Sequence, residues 1–184
     1  MADHPRLDPL PAEQWDDAAR AALSPLLPPE RANPRDAGNV LGTLLHHPEL
    51  ARAYLTFNAH LLVSSTLSPR VREVALLRAV HVRPCGYLWD HHIPIAQRAG
   101  LTAGDIDAIR AGDPRDPVDR LVVRAVDELH ESNTLGDHTW SALREHFDER
   151  QVMDLIFTIG CYQLLGAAVN VLGIQPEAPD RGSR

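Results

Sequence analysis

The sequence contains no lysine: all 18 of its basic residues are arginine. That excludes Schiff-base chemistry on a lysine and any pyridoxal cofactor anchored through one. The arginines are scattered among 25 acidic residues, for a net charge of −7, and build no basic stripe. Nucleic acid is therefore not an expected partner. Cysteine is nearly absent as well, with Cys85 and Cys161 too few to suggest a disulfide framework. No uninterrupted apolar run approaches the roughly 20 residues that cross a bilayer. The N-terminus has no pattern of charge followed by an apolar run, so a cytoplasmic protein without a membrane partner is expected. Alternation of apolar and polar residues, the mark of a half-buried strand, is also missing.

What remains is helical periodicity punctuated by proline and glycine. Residues 1–11 are rich in proline and charge and read as an arm without fixed structure. A short helix over Pro11–Leu23 has acids near its start and Arg20 near its end, as the helix dipole favours. Pro25, Pro28, Pro29 and Pro34 make residues 24–38 a long loop. Asn39–His46 is a short helix, and Pro48 opens a longer one through Val63 with Leu50, Tyr54, Phe57 and Leu61 on one face. Further helices are expected from Ser68, from Pro84 to Gly100, from Thr102, and over Pro117–Glu131, Asp137–His146 and Gln151–Leu172. The last is apolar almost all round, which suits a buried central helix or a subunit interface. The fold expected is all-α, a compact multi-helix bundle of roughly eight to ten helices. It divides into an N-terminal arm and helix (1–38), a helical domain (39–175) and a disordered tail (176–184).

The densest chemistry lies between Ser68 and Thr102. On a 3.6-residue period Glu73, Leu77 and His81 share one stripe of the first helix, and Cys85, Leu88, Trp89 and His92 share one stripe of the second. A carboxylate, a thiol and an imidazole are thus carried on adjacent helices. An imidazole gives or takes a proton near neutral pH, and a neighbouring carboxylate fixes its tautomer. The competing structural reading pairs Glu73 with Arg70 or Arg78 and makes His92 a core histidine. Tyr87 and Trp89 either line a pocket or pack in the core. His91 and His92 point about 100° apart, and Pro94 weakens the helix just beyond them. Cys161, among Ile156, Phe157, Leu164 and Leu165, reads as a buried structural thiol. His46, His47, His60, His81 and His130 have no metal-ligand spacing, so neither metal nor cofactor is expected.

Glu73, Cys85, position 88 and His92 follow the spacing Glu-x11-Cys-x2-Cys-x3-His. In this the chain resembles the carboxymuconolactone decarboxylase superfamily, which includes the alkylhydroperoxidase D-like disulfide reductases. Tyr87-x-Trp89-x-x-His92, followed by Ala96, Ala99 and Gly100-Leu101-Thr102, is similar to the Tyr-Glu-Trp-x-x-His version of its Cys-poor members. Residues 121–134, Trp140 and residues 155–173 also look like that group. The chain departs from both versions at Leu88, which stands where one branch has its second cysteine and the other a glutamate. Gly86 stands where an acidic residue is common.

The resemblance implies a homo-oligomer (dimer, trimer or hexamer) acting on a small molecule. It implies acid–base work by His92 with Glu73 on a lactone or unsaturated carboxylic acid. A γ-lactone bearing a β,γ-unsaturated carboxylate loses CO2 and is protonated at carbon. Trp89, Tyr87, Leu88 and His81 are the candidate substrate-binding residues, and Arg72 or Arg83 the candidate holder of a carboxylate. The alternative is a one-cysteine hydroperoxidase in which Cys85 passes through a sulfenic acid, with His92 and Glu73 as relay. Cys85 lies two turns from His92, a rise of about 10 Å, too far for a simple hydrogen bond. A third reading, favoured by Leu88 and Gly86, is a non-catalytic ligand-binding or assembly protein of the same fold.

Overall fold

The computed structural model describes residues 4–177. Among them are nine α-helices and no strand. The all-α expectation holds, and the element count falls within the expected range. The residues fall into two compact units, one of residues up to Leu62 together with those from Val169, the other of Val63–Ala168.

The first unit holds α1 (Asp17–Ala22), α2 (Pro34–Leu44) and α3 (Pro48–Ala59), with single 3-10 turns at Ala12–Gln14 and Pro29–Arg31. Its core gathers Trp15, Ala19, Leu23, Leu45, Ala51 and Leu55. The helix expected over Pro11–Leu23 is split, because Asp16 turns extended and caps α1 by accepting the Ala19 N–H at 2.8 Å. The loop expected through Gly38 gives way to helix already at Pro34, which Asn33 caps through the Asp36 N–H. Gly38 breaks that helix with φ +67°, a conformation open to glycine. Residues 4–11, expected as an arm, are bonded along their backbone: Arg6 and Leu7 donate to the Leu172 carbonyl and Leu10 to that of Gly42. The tail expected over 176–184 lies outside the described residues from position 178 onward.

The second unit is built around α4 (Pro69–Val82), which packs against α5 (Gly86–Arg98), α6 (Ala103–Ala111) and α7 (Pro117–Ser132). Ser68 caps α4 by accepting the Val71 N–H, with Pro69 in the first turn, as expected. Val71, Val74, Ala75, Leu76, Leu77, Ala79 and Val80 are buried on nearly every side of it. Neighbouring helices are tied to α4 through its arginines. Arg70 donates to Asp119 of α7 at 2.6 Å, and Arg78 donates to both carboxylate oxygens of Asp127 at 2.7 and 3.0 Å. A capping box of Thr102 and Asp105 starts α6. The N-cap position of α8 (Asp137–His146) is Gly136, which offers no side-chain cap. A single π turn, His60–Ser64, continues α3.

The long helix α9 (Glu149–Leu172) is 24 residues with a mean hydropathy of 1.8 over its most apolar stretch, long and apolar enough to cross a membrane. It also carries a buried carboxylate. Asp154 accepts from the Thr66 N–H at 2.6 Å, the Thr66 hydroxyl at 2.7 Å and the Ser65 hydroxyl at 3.3 Å. Its other flank leaves Met153, Phe157, Gly160, Leu164, Ala167 and Val171 exposed at alternating steps of four and three.

Asp154 thus fixes the segment that leads into α4. Asp154→Ala strands the Thr66 N–H and two hydroxyls, and should cost about 2–4 kcal/mol. Urea unfolding would show this as a lowered midpoint at unchanged slope.

Candidate functional site

Glu73 projects from the first half of α4 and His92 from the middle of α5, and the packing of these helices joins them. The His92 Nδ1 lies 2.9 Å from Glu73 Oε2, with Glu73 0% and His92 5% exposed. Such a carboxylate is costly to bury unless each oxygen is engaged. Its other oxygen, Oε1, faces Arg72 Nε at 3.4 Å. The structural reading that paired Glu73 with Arg70 or Arg78 is not what the side chains do, since Asp119 and Asp127 hold those two arginines. An ionised carboxylate only accepts, so Nδ1 of His92 donates to it, and Nε2 of the neutral ring is left as acceptor.

The imidazole is also held by its ring. The Tyr162 ring of α9 meets it edge-on, 5.1 Å between centroids at 88°. His91, exposed on the neighbouring position of α5, meets it at 5.5 Å, also edge-on. Although Pro94 withholds an N–H from the Asp90 carbonyl, α5 continues to Arg98.

A cleft of about 250 Å³ opens where α4 ends and α5 begins. Its walls are Val80, His81, Pro84, Trp89 and Arg110, and Cys85 and Gly86 reach it from the start of α5. His92 and Glu73 do not line it. The Trp89 indole lies between His81, at 5.7 Å, and the Arg110 guanidinium, 4.6 Å from the ring centroid. Burial, with the Arg78 and Arg110 charges adding to it, holds His81 below the usual imidazole range, so the ring is neutral at pH 7.

Cys85 occupies the N-cap of α5 and is buried. Its thiol is pushed up by burial, and the Leu88 and Tyr87 N–H groups at the helix start oppose this with smaller effect. Leu88 is buried on the same side, and both residues abut Gly166 of α9. A Cβ there would sit 3.3 Å from Cys85 Cβ and 3.8 Å from Leu88 Cδ1. Tyr87 is buried and stacks on His91 at 6.2 Å.

The motif residues thus separate into two groups: Glu73 and His92 in a buried pair, and His81, Cys85 and Trp89 at the cleft. Leu88 and Tyr87 pack beside them. Two residues carried no signal in the sequence. Arg110 reads as an ordinary basic residue in the last turn of α6, and Tyr162 as one more apolar position of α9. Neither arginine expected to hold a carboxylate lines the cleft: Arg72 faces Glu73, and Arg83 donates to His130 Nδ1 at 3.3 Å. No cluster of three or more potential metal ligands occurs among the described residues. Cys161 is buried within α9.

Residues 48–127 match the carboxymuconolactone decarboxylase family. Solved structures with the same fold include an uncharacterised peroxidase-related protein from Ralstonia eutropha JMP134, described as an alkylhydroperoxidase AhpD core. It has a TM-score of 0.74 and 20% identity over 95% of this chain and 94% of its own. A peroxidase-related protein from Silicibacter sp. TM1040 has a TM-score of 0.72 and 19% identity over 98% of this chain and 93% of its own. The apo debrominase Bmp8 has a TM-score of 0.67 and 16% identity over 94% and 92%. No curated protein matches the sequence. Residues 48–127 thus carry the carboxymuconolactone decarboxylase match with the motif spacing intact, and the fold is the one these alkylhydroperoxidase-like structures share.

A raised thiol pKa makes Cys85 a slow nucleophile. The pH midpoint for its alkylation by iodoacetamide, followed on the Cys85 peptide by mass spectrometry, should lie above that of a free cysteine peptide. A midpoint at or below the peptide's would contradict the burial argument.

Proposed function

We propose that the chain is an enzyme that moves a proton on a small organic molecule, of the lactone or unsaturated carboxylic acid type, with His92 as acid or base and Glu73 as its partner. The observation that carries this reading is the buried Nδ1–Oε2 bond of 2.9 Å. It fixes one tautomer and leaves Nε2 as the working atom. In a decarboxylation the C–CO2 bond breaks and its electron pair passes into a dienolate. Nε2, having first taken a proton from solvent to form the imidazolium, delivers that proton to carbon, and the ring returns to its neutral form. Glu73 stabilises the transient imidazolium, and Arg72 balances the carboxylate when the ring is neutral.

The second reading, a one-cysteine hydroperoxidase, is favoured by the cleft reaching Cys85, with His81 and Arg110 on its walls. Two fold neighbours are described as peroxidase-related. The raised thiol pKa weighs against it. A panel of lactones and unsaturated acids, with hydroperoxides alongside, separates the two. His92→Gln should lower turnover of the organic substrate by about a hundredfold or more. Glu73→Gln should lower it with the melting temperature measured in parallel, and Cys85→Ser should retain most of it. Peroxide turnover abolished by Cys85→Ser, with a sulfenic acid trapped at Cys85, would overturn the proton-transfer reading.

The enzyme is further proposed to work as a homo-oligomer in the cytoplasm. Support for assembly comes from α9, where Met153, Phe157, Leu164 and Val171 are 58, 51, 63 and 60% exposed along one seam. A continuous apolar stripe of this kind marks an interaction surface, and its steps of four and three match a coiled-coil repeat. Phe157→Asp with Leu164→Asp should reduce the mass found by light scattering to that of a single chain. An unchanged mass would place the assembly elsewhere.

A further inference from the structure

We propose that the cleft at the start of α5 binds a small planar monocarboxylate, aromatic or conjugated, with Arg110 holding the carboxylate and the apolar walls at Val80 and Pro84 the planar body. Binding of such an acid deepens the small-molecule reading above and rests on it, although the contact involves Arg110 and the cleft walls rather than the His92–Glu73 pair.

Charge selects the ligand's head. Arginines on neighbouring parts of the unit are spent: Arg70 on Asp119, Arg78 on Asp127 and on the Ile109 and Arg110 carbonyls, Arg72 beside Glu73. Arg110 is not. Its nearest acid, Asp107, is a loose surface contact at 3.9 Å, with side chains 51 and 75% exposed. The guanidinium carbon lies 4.6 Å over the Trp89 ring, a cation–π contact that uses no N–H donors. Its fork of donors is therefore available for two carboxylate oxygens.

The 13-residue α5 presents its N-terminal end at Cys85 and Gly86, where the dipole favours an anion. Asp107, on the Arg110 side, is a loose contact, and Asp127 is already neutralised by Arg78. His81 on the wall brings no negative charge.

Shape selects the body. Val80, Pro84 and the indole give apolar walls, so a fully polar anion such as phosphate would leave them uncovered. A cavity of about 150 Å³ takes one benzene. The 250 Å³ present here takes a ring or conjugated chain with its carboxylate and little more.

Calorimetric titration of the full chain with benzoate and cinnamate, and with benzamide as the uncharged counterpart, tests this. The acids should bind, and benzamide should bind at least about tenfold more weakly. Arg110→Gln should erase the preference for the acid, and Arg110→Lys should keep part of it. His92→Gln should bind benzoate like the wild type. Benzoate should also slow alkylation of Cys85 in the wild type but not in Arg110→Gln, and Arg110 lies on the surface of α6, away from the buried core. Equal binding of acid and amide, an unchanged Arg110→Gln, or no heat and no protection of Cys85 at millimolar acid would each overturn the assignment. Failure of His92→Gln to affect turnover, with the Arg110 pattern intact, would remove the proton-transfer reading alone.

Discussion

The bond between Glu73 and His92 is the constraint around which the second unit is arranged. A carboxylate with no solvent exposure has lost its hydration, and the protein must return an equivalent set of contacts. It does so with two groups on its own oxygens, the His92 ring and the Arg72 side chain. Meeting that demand fixes the rotation of α5 about its axis relative to α4, because a turn of one residue would carry His92 out by about 100°. Leu88, Trp89 and Cys85 take their directions from the same setting. The sheath of apolar residues around α4 supplies the dry surroundings in which one hydrogen bond can dictate a helix orientation.

Two different environments result along the same helix pair. Around His92 the partners are a carboxylate and two ring edges, which hold an imidazole still and leave one nitrogen for chemistry. One to two turns toward the start of α5 the surroundings change to an indole, a guanidinium and a neutral imidazole about an open volume. Under the proposed function the first would handle the proton and the second would recognise the ligand.

Much of this was legible in the chain. Ser68-Pro69 set the start of α4 and Thr102 with Asp105 that of α6, because caps are local and a few residues decide them. The Glu73 and His92 stripes were readable from the period of 3.6, and the motif spacing supplied the convergence that periodicity alone leaves open. Arg110 was not legible, since its meaning lies in a ring 21 positions earlier that it reaches only after folding. The split at Asp16 and the kink at Gly38 escaped for a similar reason. Alanine-rich and proline-rich stretches give weak local signals, and the backbone conformation of one residue, the extended ψ of Asp16 and the positive φ of Gly38, decided each boundary. The partners of Arg70 and Arg78 were open in the sequence for want of distances, and acids on α7 took both.

Gly166 has a consequence for the lineage as well as for the molecule. Its missing side chain is what allows α9 to lie against Cys85, where a Cβ would stand only 3.3 Å from another. Positions 85 and 166 are therefore coupled by volume: a chain with alanine at 166 must carry a smaller residue at 85 or let the start of α5 shift outward by a few tenths of an ångström. Because Cys85 and Gly86 line the cleft, the second route would change the cleft's shape from residue 166, on a helix that contributes nothing to its lining.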